Sequence, residues 1–274
     1  MNIHEKTQVL IEALPYIKKY NNKLVVIKFG GNAMAEMNHV IEDIVLLKHI
    51  GIKPIVVHGG GPEIDNELKN IGIMPKFING LRYTDDATMK VVEKVFNKLN
   101  KDIVASLKSL GVDSIDSSGN IKVKQKNPKL GLVGEITSIN KEGILKILNA
   151  SIIPIVSPIG VGEDDKSYNI NADTAASHIA VSTNAEKLTI LTNVDGVIIN
   201  EKFLPHMDIN TAEEGIKNGT INKGMIPKVE ACIYAVKNSC PKAHLINGLI
   251  PHSLLLEIFT DKGIGTEIVY KNEY

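Results

Sequence analysis

Three observations predict an α/β fold with a mostly parallel sheet covered on both faces. Strand-like and helix-like stretches alternate along the whole chain. Two apolar β-type runs end directly in glycine-rich breaks. Leu24–Phe29 closes on Gly30-Gly31-Asn32, and Pro54–His58 closes on Gly59-Gly60-Gly61-Pro62. At 274 residues, 43% of them hydrophobic and 23% charged, the chain is long enough for a full α/β core, as one large domain or two fused lobes.

The elements follow in order. An amphipathic helix over Ile3–Tyr20 comes first, with Leu10, Leu14 and Ile17 in one stripe and Val9, Ala13 and Tyr16 widening it. Pro15 lies inside the pattern, lacks a backbone donor and predicts a kink. Such a helix can pack on its own domain or swap onto a neighbouring subunit. Strands are predicted at Leu24–Phe29, Pro54–His58, Asp113–Ser117, Ile121–Lys126, Ile152–Ser157, Leu188–Thr192, His244–Asn247 and Glu267–Tyr270. Helical patterns fall at Met37–His49, Pro62–Ile71, Asp85–Leu110, Lys141–Asn149, Thr174–Thr183 and Met225–Asn238. Lys122–Lys129 alternates charged and polar residues and reads as an exposed hairpin or edge.

Charge and cysteine usage exclude several classes. Thirty-one basic residues balance thirty-one acidic ones, so no long-range basic field draws nucleic acid or an anionic membrane. Cys232 and Cys240 fit neither a zinc site nor a redox pair and read as free thiols. No signal-peptide core opens the chain, and no apolar run approaches the ~20 residues needed to span a bilayer. The expectation is a cytoplasmic protein in which the sequons at Asn149 and Asn218 carry nothing.

The glycine breaks carry the first chemical signal. Bare backbone N–H groups at the carboxyl end of a parallel strand can approach an anion, and the following helix adds its positive N-terminus. Such turns can also be mere tight connections. Lys28, inside an apolar strand one residue before Phe29-Gly30, points instead to a ligand crevice at the strand's carboxyl end. Two such turns, one with a built-in lysine, suggest two anionic groups held face to face, as phosphoryl transfer requires. Arg82, in Gly80-Leu81-Arg82-Tyr83-Thr84-Asp85 ahead of a helix, can present its fork to a carboxylate or stand as a surface arginine. Asn169-Ile170-Asn171-Ala172-Asp173 enters another helix with more polar groups than one cap needs. An aspartate there could orient two lysines. Asn193-Val194-Asp195-Gly196 ends a strand as a nucleotide-edge loop would. In Gly224-Met225-Ile226-Pro227-Lys228, Pro227 suits a first helical turn, while Lys228 opposes the helix dipole unless an anion binds there. No P-loop, zincin, nucleophile-elbow or dinucleotide fingerprint occurs.

Taken together, V-I-K-F-G-G-N-A-M, V-V-H-G-G-G-P, N-G-L-R-Y-T, N-I-N-A-D, L-T-N-V-D-G-V and G-M-I-P-K-V stand in the order and spacing of the amino-acid kinases. From about Val25 onward the chain resembles that family, most of all its members that act on N-acetyl-L-glutamate. The resemblance implies a three-layer αβα sandwich with a mainly parallel central sheet, preceded by a kinked helix. It implies residues 1–22 as an oligomerisation helix and 23–274 as the kinase domain, with a substrate and dimerisation lobe over about 23–178 and an ATP lobe over about 179–274. The implied reaction is ATP-dependent phosphorylation of the γ-carboxylate, with Mg²⁺ carried on the nucleotide phosphates and no protein metal site. Lys28 and Lys228 match the lysines that stabilise the transition state, and Asp173 the aspartate that organises them. Gly60, Gly61, Arg82 and Asn169 match acetylglutamate-binding positions. Gly30 and Gly31 would face the transferred phosphoryl, and Asn193, Val194, Gly196, Ile221, Asn222 and Gly224 match the nucleotide loops.

E-A-L-P-Y-I-K-K-Y resembles the extra helix of arginine-inhibited hexameric members, and P-H-S-L-L-L-E-I-F-T-D-K-G-I-G-T resembles their arginine site. By that likeness Tyr16, His252, Glu257 and Gly263 would surround L-arginine in a trimer of dimers. Docking of a PII protein stays undecided. The sequence departs from the pattern at Asn193, where many relatives carry Asp, at Asn222-Lys223 and at Lys129. Competing readings are a sister kinase acting on glutamate, aspartate, a uridylate or carbamate, a non-catalytic arginine sensor, and, remotely, an NAD-dependent oxidoreductase.

Overall fold

The computed structural model describes residues 3–31, 37–260 and 263–271. Asn32, and the side chains of Val9 and Leu10 in the helical stripe, lie outside the described residues. The central sheet has eight strands in the spatial order His206–Asp208, Thr266–Val269, Lys242–Asn247, Lys187–Thr192, Leu24–Phe29, Lys53–His58, Ile153–Val156, Ser114–Asp116. Every neighbouring pair is parallel except Lys242–Asn247 with Thr266–Val269.

Leu24–Phe29 lies near the middle, and the alternation of its side chains feeds both faces. Val26 joins one core with Ala176, Ile179, Val229 and Cys232, from the helices Ala172–Thr183 and Ile226–Lys237. Val25, Ile27 and Phe29 join the other, with Ile41, Ile44, Leu47 and Leu254 from the helices Met37–His49 and Ser253–Ile258. Helices therefore cover both faces of the sheet, the αβα sandwich that the sequence predicts. A third cluster packs helix Gly61–Asn70 on helix Asp86–Ser109 through Ile64, Leu68, Val92, Phe96 and Leu99.

The long elements match the sequence reading to within two residues, and Met37–His49 and Lys141–Asn149 match at both ends. Some short elements differ. Ile121–Gln125, read as an exposed hairpin or an edge, forms the hairpin, antiparallel with Gly134–Ile139, but is not an edge, because it also touches Ile159–Val161 in a second, four-stranded sheet. Ile121 and Val123 are buried there while Lys122, Lys124 and Gln125 face out, so the polar alternation marks one solvated face of an inner strand. Helices Ile209–Lys217 and Ser253–Ile258, and the hairpin of Phe77–Ile78 with Leu81–Arg82, had no counterpart among the predicted elements. Helix Ile3–Tyr20 continues through Pro15; Tyr20 is buried, whereas Ile11 and Leu14 are exposed. Among the described residues no helix is long and apolar enough to cross a membrane.

Candidate active site

The glycine breaks meet because their strands are neighbours in register, Phe29 opposite His58. Gly59 N–H donates to Phe29 O at 2.7 Å. A Cβ on Gly30 would stand 2.7 Å from both Cα and N of Gly59, so only a bare backbone fits. Around Gly31 and Gly61 a Cβ would meet nothing within 4 Å, which leaves their backbones open to a ligand. Behind them His58 is fully buried and its Nδ1 lies 3.1 Å from Gly59 O; burial pushes its pKa down to about 4, so the ring is neutral at pH 7.

Alternation also positions Lys28. It shares the sheet face of Val26, beneath the starts of the helices Ala172–Thr183 and Ile226–Lys237. Asn171 caps the first of these, its Oδ1 accepting from the backbone N–H of Asp173 at 2.9 Å and of Thr174 at 3.1 Å. That cap aims the Asp173 carboxylate down at the strand end. Lys28 Nζ lies 2.8 Å from Asp173 Oδ1, and Lys228 Nζ lies 3.2 Å from Asp173 Oδ2. One carboxylate thus tethers both ammonium groups, holding them within roughly 8 Å of each other. Burial alone would raise the Asp173 pKa, but the two lysines outweigh it and hold the carboxyl below its ordinary value.

Two cavities open on either side of this triad. One, about 240 Å³, is lined by Lys28, Gly31, Gly60, Gly61, Arg82, Asn169 and Asp173 among others. The second, about 560 Å³ and more apolar, is lined by Asn193, Val194, Gly196, Ile221, Asn222, Gly224 and Lys228 among others. Gly30 lines neither, being sealed against Gly59. Arg82 is buried, with its guanidinium 4.8 Å from the Phe77 ring centroid; Nη1 pairs with Asp65 at 2.5 Å and Nη2 donates to Gly61 O at 3.2 Å. Asn169 Nδ2 donates to Thr84 Oγ1 at 3.2 Å.

A third cavity, about 200 Å³, lies under the end of the first helix and brings Tyr16, Glu257 and Gly263 together. His252 does not line it. Instead its Nδ1 lies 2.7 Å from the buried Asp43 carboxylate on helix Met37–His49. Sequence reasoning missed the other charges of this cavity. Lys187 Nζ lies 2.9 Å from Glu257 Oε1, His244 contacts the same carboxylate, and Lys242 pairs with Glu267 at 2.5 Å. The signal available was a charged residue at the start of each of two apolar strands, Lys187 and Lys242, with His244 two places on. A strand reads the same whether such a residue is solvated or buried and paired.

With this geometry established, the chain can be set beside known proteins. The model of the amino acid kinase family matches residues 23–247. The chain belongs to the amino acid kinase family. Within it the chain is 50% identical over 277 residues to an acetylglutamate kinase of Thermoanaerobacter pseudethanolicus, covering 96% of this chain and 93% of that one. It is 46% identical over 279 residues to an acetylglutamate kinase of Syntrophomonas wolfei subsp. wolfei, covering 97% of each. Among solved structures, the N-acetylglutamate synthase of Neisseria gonorrhoeae with coenzyme A and N-acetyl-glutamate superposes with a TM-score of 0.90 at 24% identity. That match covers 98% of this chain but 64% of the synthase, just under two thirds of its length. Carbamate kinase from Giardia lamblia, at 18% identity, matches with a TM-score of 0.70 over 91% of this chain and 99% of its own. At these identities the two structures speak for the amino acid kinase fold alone.

Proposed function

We propose that the chain transfers the γ-phosphoryl of ATP to the γ-carboxylate of N-acetyl-L-glutamate, giving an acyl phosphate for arginine biosynthesis. The observation that carries this is the single Asp173 carboxylate bridging Lys28 and Lys228 where two cavities meet. The smaller cavity takes the acceptor, with the α-carboxylate at Arg82 and with the backbone N–H groups of Gly60 and Gly61 and the Asn169 side chain among its lining. The larger takes the nucleotide between Asn193–Gly196 and Ile221–Gly224.

A carboxylate with an ordinary pKa of about 4.3 is already the nucleophile at neutral pH, so the reaction needs no general base. The obstacle is repulsion between acceptor and phosphates, on the order of 4 kcal/mol per charge pair at 4 Å and an effective dielectric near 20. Lys28 on the acceptor side and Lys228 on the nucleotide side offset it as charge moves between them. Asp173 holds both without touching the phosphoryl. Both of its oxygens are taken by lysines, so it is a poor Mg²⁺ ligand, and Mg²⁺ fits on the nucleotide phosphates instead.

The same reading assigns the Tyr16–Glu257–Gly263 cavity to L-arginine as feedback inhibitor. Glu257 supports it: against the effect of burial, hydrogen bonding to His244 and the Lys187 charge bring its pKa down to about 2, so it is ionised. The exposed Ile11 and Leu14 support residues 1–22 as the helix that joins dimers into a hexamer. We place the enzyme in the cytoplasm, with lobes dividing near residue 178. A hydroxamate assay with MgATP tests the substrate: turnover is expected with N-acetyl-L-glutamate and far less with glutamate or aspartate, and inhibition by L-arginine. Equal turnover of free glutamate would overturn the substrate assignment. A trimer-of-dimers mass after deletion of residues 1–22 would overturn the assembly.

A further inference from the structure

Outside these cavities, and among the described residues, one trio of metal-ligating side chains gathers: His39, Glu42 and His252. His39 and Glu42 are three residues apart on helix Met37–His49 and so share a face. His252 arrives from the far end of the chain as the residue before helix Ser253–Ile258, in a left-handed conformation with φ of 57°. One imidazole nitrogen from each ring and one carboxylate oxygen all lie within 4.8 Å of one another. His39 Nδ1 stands 3.6 Å, and His252 Nε2 3.9 Å, from Glu42 Oε2. Ligand atoms of a tetrahedral site with bonds of 2.0–2.1 Å are about 3.3 Å apart. Closing around an ion therefore asks for movements on the order of 1 Å from side chains that are half-buried or exposed.

The neighbouring group supplies the reason to expect an ion. Asp43 is buried, and its carboxylate faces His252 Nδ1 at 2.7 Å. A carboxylate there accepts a hydrogen bond from Nδ1–H of the ring, the tautomer that keeps the lone pair on Nε2, the nitrogen turned toward Glu42. A carboxylate behind a histidine in this way is the arrangement that orients imidazole ligands and raises their basicity. Two imidazoles and one carboxylate form a donor set that selects zinc-like transition ions over Mg²⁺ or Ca²⁺. Glu42 and Asp43 together carry the two negative charges that such a dication would balance.

We propose that His39, Glu42 and His252 bind one divalent transition-metal ion of the zinc class, with water completing the four ligands and Asp43 orienting His252. The ion staples helix Met37–His49 to the segment entering helix Ser253–Ile258, the helix that also carries Glu257 into the third cavity. The site is distinct from the phosphoryl-transfer centre and does not depend on its assignment.

The test uses the full-length chain without a histidine tag, titrated with Zn²⁺ against a chromophoric chelator and, separately, with Co²⁺. One ion per chain is expected, with the visible absorption of a tetrahedral Co²⁺ site. Tm is expected to rise by a few degrees with Zn²⁺ but not with equal Mg²⁺, and to fall back on adding a chelator. His252→Asn, which tolerates the left-handed backbone, and His39→Gln are each expected to weaken binding at least tenfold, and Asp43→Asn about 10–100-fold. Absence of a stoichiometric ion in the wild-type protein would overturn the proposal, whatever the variants do. So would unchanged Zn²⁺ affinity in His39→Gln and His252→Asn, since the ion would then sit elsewhere.

Discussion

Replacing Lys28 with methionine keeps an unbranched side chain one atom shorter and removes its charge. A unit charge about 4 Å from the reacting oxygens contributes on the order of 4 kcal/mol at an effective dielectric near 20. Losing it corresponds to roughly a thousandfold in kcat, with a much smaller change in KM for ATP, because the cavity proposed for the nucleotide is lined by other residues. The same substitution strips Asp173 of the nearer of its two partners. Breaking a buried ion pair costs about 3–5 kcal/mol when nothing replaces the lost partner. Here Lys228 remains at 3.2 Å, so a loss of about 2 kcal/mol is expected. Adding Asp173→Asn removes the buried charge that has lost its nearer partner. The double variant should regain part of that stability and none of the activity. The hydroxamate assay gives kcat, and urea unfolding gives stability. A Lys28→Met enzyme within tenfold of wild type, or strictly additive stability losses in the cycle, would refute the reasoning.

Three further outcomes are expected. Gly30→Ala should lose activity and stability together, because its Cβ meets the Gly59 backbone at 2.7 Å, whereas Gly61→Ala should fold normally and raise only KM for the acceptor. Kinetics and thermal melts of the two variants separate these cases. Glu257, with a folded pKa near 2 against an ordinary 4.5, adds stability that is complete above about pH 4.5 and is lost as pH falls toward 2, amounting to about 3 kcal/mol. Glu257→Gln should flatten that part of the urea-stability profile, and an unchanged acid slope would count against the pairing with Lys187 and His244. Burial pushes the Cys240 thiol up to about 11 and the Cys232 thiol well above its ordinary value, so neither should react with a maleimide at pH 8 until the protein unfolds, as mass spectrometry would show.

The sequence by itself determined the sandwich and most of the Lys28–Asp173–Lys228 cluster. Its information there is local: strand alternation places Lys28 with Val26, a bare Gly30 permits contact with Gly59, and Asn171 caps the helix that aims Asp173. Val26 and Asn171 each lie two residues from the group they position, while the Gly30–Gly59 contact follows from pairing of neighbouring strands. The family motifs then named Lys228 as the second cation, and the structure sets it on the same carboxylate.

What only the tertiary structure decided is which charges neutralise one another across long stretches of chain. Arg82 finds Asp65, Lys187 finds Glu257, and His252 finds Asp43, separated by 17, 70 and 209 residues respectively. No periodicity encodes such pairs, because a buried lysine and a solvated one leave the same mark on a strand pattern. His252 shows the consequence. Likeness to a motif set it beside Tyr16 and Glu257, yet its left-handed backbone and the buried Asp43 turn the ring toward a different helix. A side chain with one strong partner follows that partner, and the partner is chosen by the fold as a whole.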